Sequence, residues 1–207
     1  MLKLIIFDCD GVMFDSRVAN REYYNHLLIH FGRPIMDEDE LSYVHMHNVR
    51  ESVRYIFRHF PDQDLAAVDT YRKDLDYTPF FRFMHTEKDL VQFLDYAKKR
   101  FNLAISTNRT TTMMPLLKEF NLQEYFGKVM TAENSRKPKP APDALFEILE
   151  HFGCRTDEAI YIGDSIIDRQ HTKAAGMRLI AFKNPALPAE FHVSSFMEIC
   201  TLPPFMQ

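Results

Sequence analysis

Short apolar runs alternate with amphipathic helical patterns along the second half of the chain and directly after its start. Strands are predicted at the opening LKLII and at KRFNLAIST (99–107), GKVMTA (127–132), EAIYIGDS (158–165, strand then turn) and MRLIAF (177–182). Helices are predicted between them at Thr86–Arg100, Pro142–Phe152 and Ile166–Ala175. Repetition of strand, helix and strand implies right-handed crossovers. The pattern therefore predicts a Rossmann-like, doubly wound α/β fold with a mostly parallel sheet.

The helix predicted at Thr86–Arg100 begins with a candidate capping motif. Thr86 and Asp89 have the spacing of a capping box, with Asp in place of the usual Glu. The spacing predicts that this helix begins at Thr86.

Residues 16–84 interrupt the alternation with consecutive helical patterns at 19–32, 36–47, 48–60 and 62–75. In the first of them Tyr23, Leu27 and Phe31 share one helical stripe, and Gly32 follows as a typical C-terminal residue. We therefore expect two domains. Residues 1–15 and 85–207 would form the α/β core, and residues 16–84 would form an inserted all-helical domain.

Composition narrows the class of protein. The chain of 207 residues is 46% hydrophobic, and 25 basic against 29 acidic residues give a net charge of −4. A sizeable core is expected, and no basic run suggests a nucleic-acid or anionic-membrane partner. No segment approaches the ~18–20 apolar residues of a membrane span. Three unpatterned cysteines argue against a disulfide framework, so we expect a reducing, cytoplasmic location.

Acidic residues are crowded where two of the predicted strands end. Asp8 and Asp10 follow the first strand, alternate side chains of an extended chain share one side, and Gly11 permits a sharp turn. The strand in 158–163 is followed by Asp164 and, four residues on, Asp168. Parallel strands would bring these carboxylates to one edge of the sheet. Carboxylates and water are the usual ligands of Mg²⁺, which predicts a magnesium site there.

Two further segments fit a phosphate group. The strand ending in Thr107 is followed by Asn108 and by backbone amides that can cradle an anion. The loop SRKPKPAPDAL carries Lys137 and Lys139 on a proline-stiffened backbone. Carboxylates, a hydroxyl, a lysine and a metal site together form a set suited to phosphoryl transfer.

Four motifs in order resemble those of the haloacid dehalogenase superfamily, in the class of phosphoglycolate phosphatase and β-phosphoglucomutase. They are FDCDGV (7–12), the strand ending in Thr107, KPAPD (139–143) and GDSIID (163–168). The resemblance implies that Asp8 is the nucleophile and that Asp10 protonates the leaving oxygen and then activates water. It further implies that Thr107 binds phosphoryl oxygens and that Lys139 balances the charge on Asp8 and the phosphate.

The same resemblance implies how Mg²⁺ would be held. Its ligands would be Asp8, the backbone carbonyl of Asp10, and Asp164, with Asp168 in support. Other interpretations of two of these acids stay open. Asp164 also fits a helix N-cap, and Asp168 also fits a solvated helix face or a partner for a nearby lysine.

The helical insertion resembles the family's cap domain. Its segment HMHNVRES (45–52) resembles the substrate-specificity loop, so His47, Asn48 and Arg50 are expected to reach the leaving group. The segment lacks a glycine that relatives often have there. Arg50, Arg54 and Arg58 form a basic stripe that fits a solvated face as well as an anion-binding one.

The expected function is a Mg²⁺-dependent phosphomonoester hydrolase that acts on a small phosphorylated metabolite through an aspartyl-phosphate. The alternatives are a phosphosugar mutase and a catalytically silent regulatory or scaffold protein of the same fold. Dehalogenase chemistry is disfavoured, because Asp10 is the additional acid that phosphoryl-transfer members carry. The sequence leaves open whether the protein is a monomer or a homodimer.

Overall fold

A computed structural model describes residues 1–206 and divides the chain into two compact units. The α/β unit comprises Met1–Asp15 and the chain from Thr86 onward, and the helical unit is Ser16–His85. The chain enters and leaves the helical unit near two short strands, β2 (Phe14–Asp15) and β3 (His85–Thr86).

The α/β unit is built on one parallel sheet of six strands. In chain order these are β1 (Leu4–Phe7), β4 (Asn102–Ser106), β5 (Lys128–Met130), β6 (Ala159–Gly163), β7 (Arg178–Phe182) and β8 (Phe191–Val193). Their order across the sheet is β5-β4-β1-β6-β7-β8, and every pairing is parallel. The predicted α/β fold with a parallel sheet and a helical insertion is confirmed.

The position of β1 inside the sheet explains why the sequence of this strand is apolar throughout. All four residues of β1 are fully buried, because β1 lies between β4 and β6 and the sheet is covered on both faces. One core cluster of the α/β unit joins Leu4 and Ile6 to Leu145 and Ile148 of a following helix. A continuous apolar run is therefore the pattern expected of a strand that is buried on both faces of the sheet.

Within residues 1–206, four α-helices belong to the α/β unit: α5 (Leu90–Ala97), α6 (Met113–Glu119), α7 (Asp143–Phe152) and α8 (Ile166–Ala175). The predicted start of α5, at Thr86, was wrong. Thr86 lies in β3, the helix begins at Leu90, and the Asp89 side chain accepts a hydrogen bond from the Met197 amide instead of capping the helix. Strand β8 and helix α6 were not predicted from the sequence.

The helical unit contains α1 (Arg17–His30), α2 (Glu38–Met46), α3 (Val49–Ile56) and α4 (Leu65–Asp74). The four helices predicted here are confirmed, each within a few residues of its predicted ends. Their apolar stripes meet in a separate core that includes Tyr23, Leu27, Leu41 and Ile56. Asp37 begins α2 with a complete capping box. The unit therefore has its own core and its own helix-start signals.

Among the helices of residues 1–206, none has the length and apolar character needed to cross a membrane. All three cysteines are free thiols.

Candidate active site

Three carboxylates meet where β1 and β6 end. Phe7 pairs with Ile162 in the sheet register, so Asp8 and Asp164 leave the sheet from neighbouring strands. The Asp8 amide donates to the Ile162 carbonyl at 2.9 Å. One oxygen each of Asp8, Asp164 and Asp168 lies within 4.8 Å of the others. The predicted gathering of carboxylates at one sheet edge therefore occurs, and its donor set suits a hard cation.

Two glycines make this close approach possible. Gly11 has φ +77°, and a Cβ built there would lie 2.1 Å from Asp164 Oδ2. A Cβ at Gly163 would lie 2.6 Å from the Cβ of Asp168. Side chains at these positions would displace two of the three acids, so both glycines are needed for the cluster as it stands.

Lys139 is the cation that lies inside this cluster. Its ammonium, buried with the acids, is 2.8 Å from Asp8 Oδ1 and 2.7 Å from Asp168 Oδ1. It also donates to the Tyr161 hydroxyl at 3.1 Å. A lysine ammonium has three N–H donors, and these three acceptors match them in number. Burial alone would lower the pKa of Lys139, but the charges of Asp168 and Asp8 outweigh it, so the pKa rises and the lysine stays charged.

Ionisation of two of these carboxylates, Asp8 and Asp164, is unfavourable in the metal-free protein. Burial is the main cause that raises the pKa of Asp8 to about 7, and the charge of Asp168 adds to it while Lys139 opposes it. Burial, followed by the charges of Asp168 and Asp8, raises the pKa of Asp164 to about 8. A bound divalent cation would favour the ionised forms of both, which is the condition expected of a metal site.

Asp168 differs from the other two because its hydrogen bonds compensate its burial. Its Oδ2 accepts from the Ser165 hydroxyl at 2.7 Å and from the backbone amides of Asp164 and Ser165. Burial would raise its pKa, but the charge of Lys139 and the hydrogen bonds of Lys139 and Ser165 outweigh it, so the pKa is lowered. The structure shows Asp168 as the partner of a lysine, which was one of its two open interpretations. The other, a solvated helix face, is ruled out because the side chain is fully buried.

Asp164, by contrast, is not the N-cap of α8. Ser165 holds that position and its side chain accepts a hydrogen bond from the Asp168 amide. The N-cap interpretation of Asp164 was therefore wrong.

Thr107 and Asn108 follow β4 and lie in the loop next to β1. Thr107 is buried, and its hydroxyl oxygen accepts a hydrogen bond from the Arg109 amide at 3.1 Å. The Asn108 side chain donates to the Lys139 carbonyl at 3.3 Å. Asn108 therefore supports the loop that carries Lys139, and its contact with a substrate stays a prediction.

Asp10 forms a further ion pair of the site, with a residue that was not predicted from the sequence. The Arg109 guanidinium donates from Nε to Asp10 Oδ2 at 2.8 Å and from a terminal nitrogen to Asp10 Oδ1 at 2.6 Å. Arg109 comes directly after Thr107 and Asn108, which was the available signal.

A buried polar network behind the site was also missed. His171 on α8 is within hydrogen-bond distance of the Ala141 carbonyl through Nδ1 (2.6 Å) and of the Ser106 hydroxyl through Nε2 (3.0 Å). Burial, followed by the charge of Lys139, lowers the pKa of His171 to about 4. The neutral ring therefore donates to Ala141 and accepts from Ser106. It joins α8, the end of β4 and the Lys139 loop, a link between elements distant in sequence that no local pattern reveals.

The other predicted binding residues belong to the helical unit. His47 Nδ1 lies 2.8 Å from the Tyr43 carbonyl, and its ring stacks on Tyr43 with centroids 3.8 Å apart. Asn48 is the N-cap of α3, where its side chain accepts from the amides of Arg50 and Glu51. Arg50 is exposed. Capping explains Asn48 without a substrate, so contacts of His47, Asn48 and Arg50 with a substrate stay predictions.

The parallel sheet, the helical insertion after its first strand and the cluster of acids around a lysine define a haloacid dehalogenase-type α/β protein. The chain belongs to the haloacid dehalogenase-like hydrolase family, whose model matches residues 5–182. The resemblance drawn from the four motifs is thereby confirmed.

Individual relatives agree with this assignment. A subfamily IA hydrolase of the superfamily from Geobacter sulfurreducens has a crystal structure with a TM-score of 0.85 and 35% identity, covering 97% of this chain and 99% of that chain. The chain is 26% identical to a phosphoglycolate phosphatase of Pseudomonas savastanoi over 86% of its length and 68% of the relative. It is 27% identical to a Caldanaerobacter subterraneus protein that carries a provisional pyrophosphatase name, over 90% and 84% of the two chains.

Proposed function

We propose that the protein is a phosphomonoester hydrolase that acts on a small phosphorylated metabolite through an aspartyl-phosphate on Asp8. The observation that carries the proposal is the position of Asp8 at the end of the central strand, in a cluster of three acids and bound to the Lys139 ammonium. Family membership and relatives named as phosphatases support the same assignment.

In the proposed first step, an oxygen of Asp8 attacks phosphorus. The bond to the ester oxygen breaks, its electron pair stays on that oxygen, and a proton from Asp10 moves to it so that an alcohol leaves. In the second step water attacks the phosphorus of the aspartyl-phosphate, Asp10 accepts the proton, and phosphate and the Asp8 carboxylate are released. Lys139 offsets negative charge beside Asp8, and the Thr107 hydroxyl is assigned to a phosphoryl oxygen.

The cation we propose is Mg²⁺. Asp8, Asp164 and the backbone carbonyl of Asp10 would hold it, and Asp168 would support the site through Lys139 and Ser165. When bound, it supplies positive charge to phosphoryl oxygens. The all-oxygen donor set fits this cation, and the raised pKa values of Asp8 and Asp164 are consistent with a site that a cation completes.

We assign the helical unit the family's cap role, with His47, Asn48 and Arg50 as candidate contacts to the leaving group. The identity of that group depends on these side chains.

Release of inorganic phosphate from p-nitrophenyl phosphate and a panel of small phosphate esters tests the proposal. Each ester is measured with MgCl₂ and with EDTA, and Asp8→Asn is measured beside the native protein. We expect metal-dependent turnover that is lost in Asp8→Asn. A folded, Mg²⁺-loaded protein that hydrolyses none of the esters would contradict the proposal and favour the mutase or the silent protein.

A further inference from the structure

The loop after β7 places Asn184 against the backbone of Asp164. The sheet register pairs Gly163, at the end of β6, with Ala181 of β7, so the loops that follow these two strands are neighbours. The Asn184 side chain donates from Nδ2 to the Asp164 carbonyl at 2.7 Å. Its Oδ1 accepts from the Ala186 amide at 3.2 Å, which holds the orientation of the side chain. Asn184 therefore links two loops at the carboxyl edge of the sheet.

The peptide group between Asp164 and Ser165 is held on both sides. Its carbonyl accepts from Asn184, and its N–H donates to Asp168 Oδ2 at 3.1 Å. The preceding N–H, of Asp164 itself, donates to the same Asp168 oxygen at 3.2 Å. The direction in which the Asp164 carboxylate leaves the chain depends on these two peptide groups, because they flank its Cα. Without the Asn184 amide, only the Asp168 side would define that direction.

The loop that carries Asn184 is itself anchored within the α/β unit. Lys183 has φ +52°, in the left-handed region, so the chain turns sharply after β7. The Lys183 amide donates to the Val193 carbonyl at 2.8 Å, and its ammonium lies 2.6 Å from both carboxylate oxygens of Glu87. The Glu87 amide in turn donates to the Met13 carbonyl at 3.0 Å. Asn184 therefore projects from a fixed support.

The carboxylates of Asp8, Asp164 and Asp168 repel one another when they are ionised and no cation is bound. A loop free to move would let Asp164 withdraw from the cluster. Mg²⁺ requires near-ideal octahedral geometry with ligands at about 2.0–2.1 Å, whereas Ca²⁺ is larger and accepts flexible geometry. A site for Mg²⁺ therefore gains affinity when its carboxylates are already in place.

We propose that Asn184 is a positioning residue that fixes the backbone of Asp164 and so makes the acid cluster rigid enough to favour Mg²⁺. The inference rests on the proposed function, which assigns Asp164 as a ligand of this cation. Asn184 would contact neither the cation nor the substrate, and it acts only through the Asp164 carbonyl.

Calorimetric titration of the protein with MgCl₂ or with CaCl₂, in the absence of any ester, tests this inference. Asn184→Ala is expected to raise the Kd for Mg²⁺ by about 10- to 100-fold, the usual effect of losing a group that orients a metal ligand. The Kd for Ca²⁺ is expected to rise by less than about fivefold, because Ca²⁺ tolerates a displaced carboxylate.

Two further variants separate the hydrogen bond from packing. Asn184→Leu has a side chain of similar size without an N–H donor, so its Kd for Mg²⁺ should rise as in Asn184→Ala. Asn102→Ala, at an exposed asparagine where β4 begins, is the matched control and should bind both cations as the native protein does. Urea unfolding in EDTA and in MgCl₂ gives a second readout. Each Asn184 variant should gain less from MgCl₂ than the native protein gains, whatever its stability in EDTA.

An unchanged Kd for Mg²⁺ in Asn184→Ala would overturn the inference. An equal rise of the Kd for Mg²⁺ and for Ca²⁺ would also overturn it, because it would indicate weaker attraction for any cation and not a lost geometry. Native affinity in Asn184→Leu would assign the effect to packing and overturn it as well. Circular dichroism under the titration conditions shows that each variant is folded.

Failure of this inference is distinguishable from failure of the proposed function. A native protein that binds no Mg²⁺ would contradict the proposed metal site and this inference together. Absence of ester hydrolysis counts against the hydrolase, whereas unchanged Mg²⁺ affinity in the Asn184 variants of a protein that hydrolyses esters counts against the role of Asn184 alone.

Discussion

Replacing Asp164 by asparagine is expected to stabilise the metal-free protein and to abolish its stabilisation by Mg²⁺. Burial and the charges of Asp168 and Asp8 raise the pKa of Asp164 from 3.8 to about 8. Between these values the folded protein binds more protons than the unfolded chain, so the stability of the metal-free protein falls as pH rises through this range. An asparagine side chain at this position would stay neutral at every pH. The Asp164→Asn variant should therefore escape that loss.

The size of the effect follows from the shift. One pKa unit corresponds to about 1.4 kcal/mol, so a shift of about four units costs the metal-free fold on the order of 5 kcal/mol once Asp164 is ionised. Roughly a third of this cost is present at about pH 5 and nearly all of it at about pH 8. We expect the stability gained by Asp164→Asn to be about 3 kcal/mol larger at the higher pH.

Urea unfolding followed by circular dichroism measures both parts of this prediction. In EDTA, Asp164→Asn should be more stable than the native protein at about pH 8, with a smaller difference at about pH 5. In saturating MgCl₂ at about pH 8, the native protein should gain stability by mass action and the variant should not. Asp62→Asn, at an exposed aspartate of the helical unit, is the control. A pH-independent difference, or a native protein that gains nothing from Mg²⁺, would refute the reasoning.

Four more substitutions or titrations follow from the same contacts. Lys139→Met should destabilise the protein by about 3–5 kcal/mol in urea unfolding, because it leaves two buried carboxylates without their cation. Gly11→Ala should weaken Mg²⁺ binding by about 10- to 100-fold in calorimetry, because its Cβ would overlap the Asp164 carboxylate. Asn48→Ala should cost about 1 kcal/mol in urea unfolding, and Asn48→Ser should restore it, because the side chain caps α3. The His171 ring should stay neutral in NMR titrations until about pH 4, and since its folded pKa lies below 6.5, its contribution to stability is lost as pH falls through this range.

Each of these has a contradicting outcome. A loss below about 1 kcal/mol in Lys139→Met would mean that the lysine does not compensate the acids. Native metal affinity in Gly11→Ala would show that the acid cluster tolerates displacement. A raised KM in Asn48→Ser with native stability would assign Asn48 to the substrate and not only to the helix. Titration of His171 near its ordinary value of 6.5 would exclude the neutral bridge between Ser106 and Ala141.

The elements that carry strong periodic patterns were predictable from the sequence. The apolar run of β1, and the acids that follow β1 and β6, required only the rules for parallel sheets and their carboxyl edges. Asp8 and Asp164 were thus predicted to be neighbours although 156 positions separate them in the chain.

The contacts that depend on three-dimensional packing were not predictable. Arg109 follows a predicted phosphate-binding loop, yet only the fold shows that its guanidinium meets Asp10. His171 lies on a helix whose pattern gives no sign that its ring bridges two other elements. The start of α5 was misplaced because the spacing of Thr86 and Asp89 fits a capping box, whereas the tertiary structure uses Asp89 to bind the Met197 amide.

Detection of a phosphoryl group on Asp8 tests the central claim most directly. The native protein is mixed with Mg²⁺ and a phosphate ester that it hydrolyses, and the reaction is quenched in acid during turnover. The protein is then digested, and the peptide that contains Asp8 is analysed by mass spectrometry. We predict a phosphorylated Asp8 in the native protein and none in Asp8→Asn. Turnover with the phosphoryl group on another residue, or undiminished turnover in Asp8→Asn, would contradict the account.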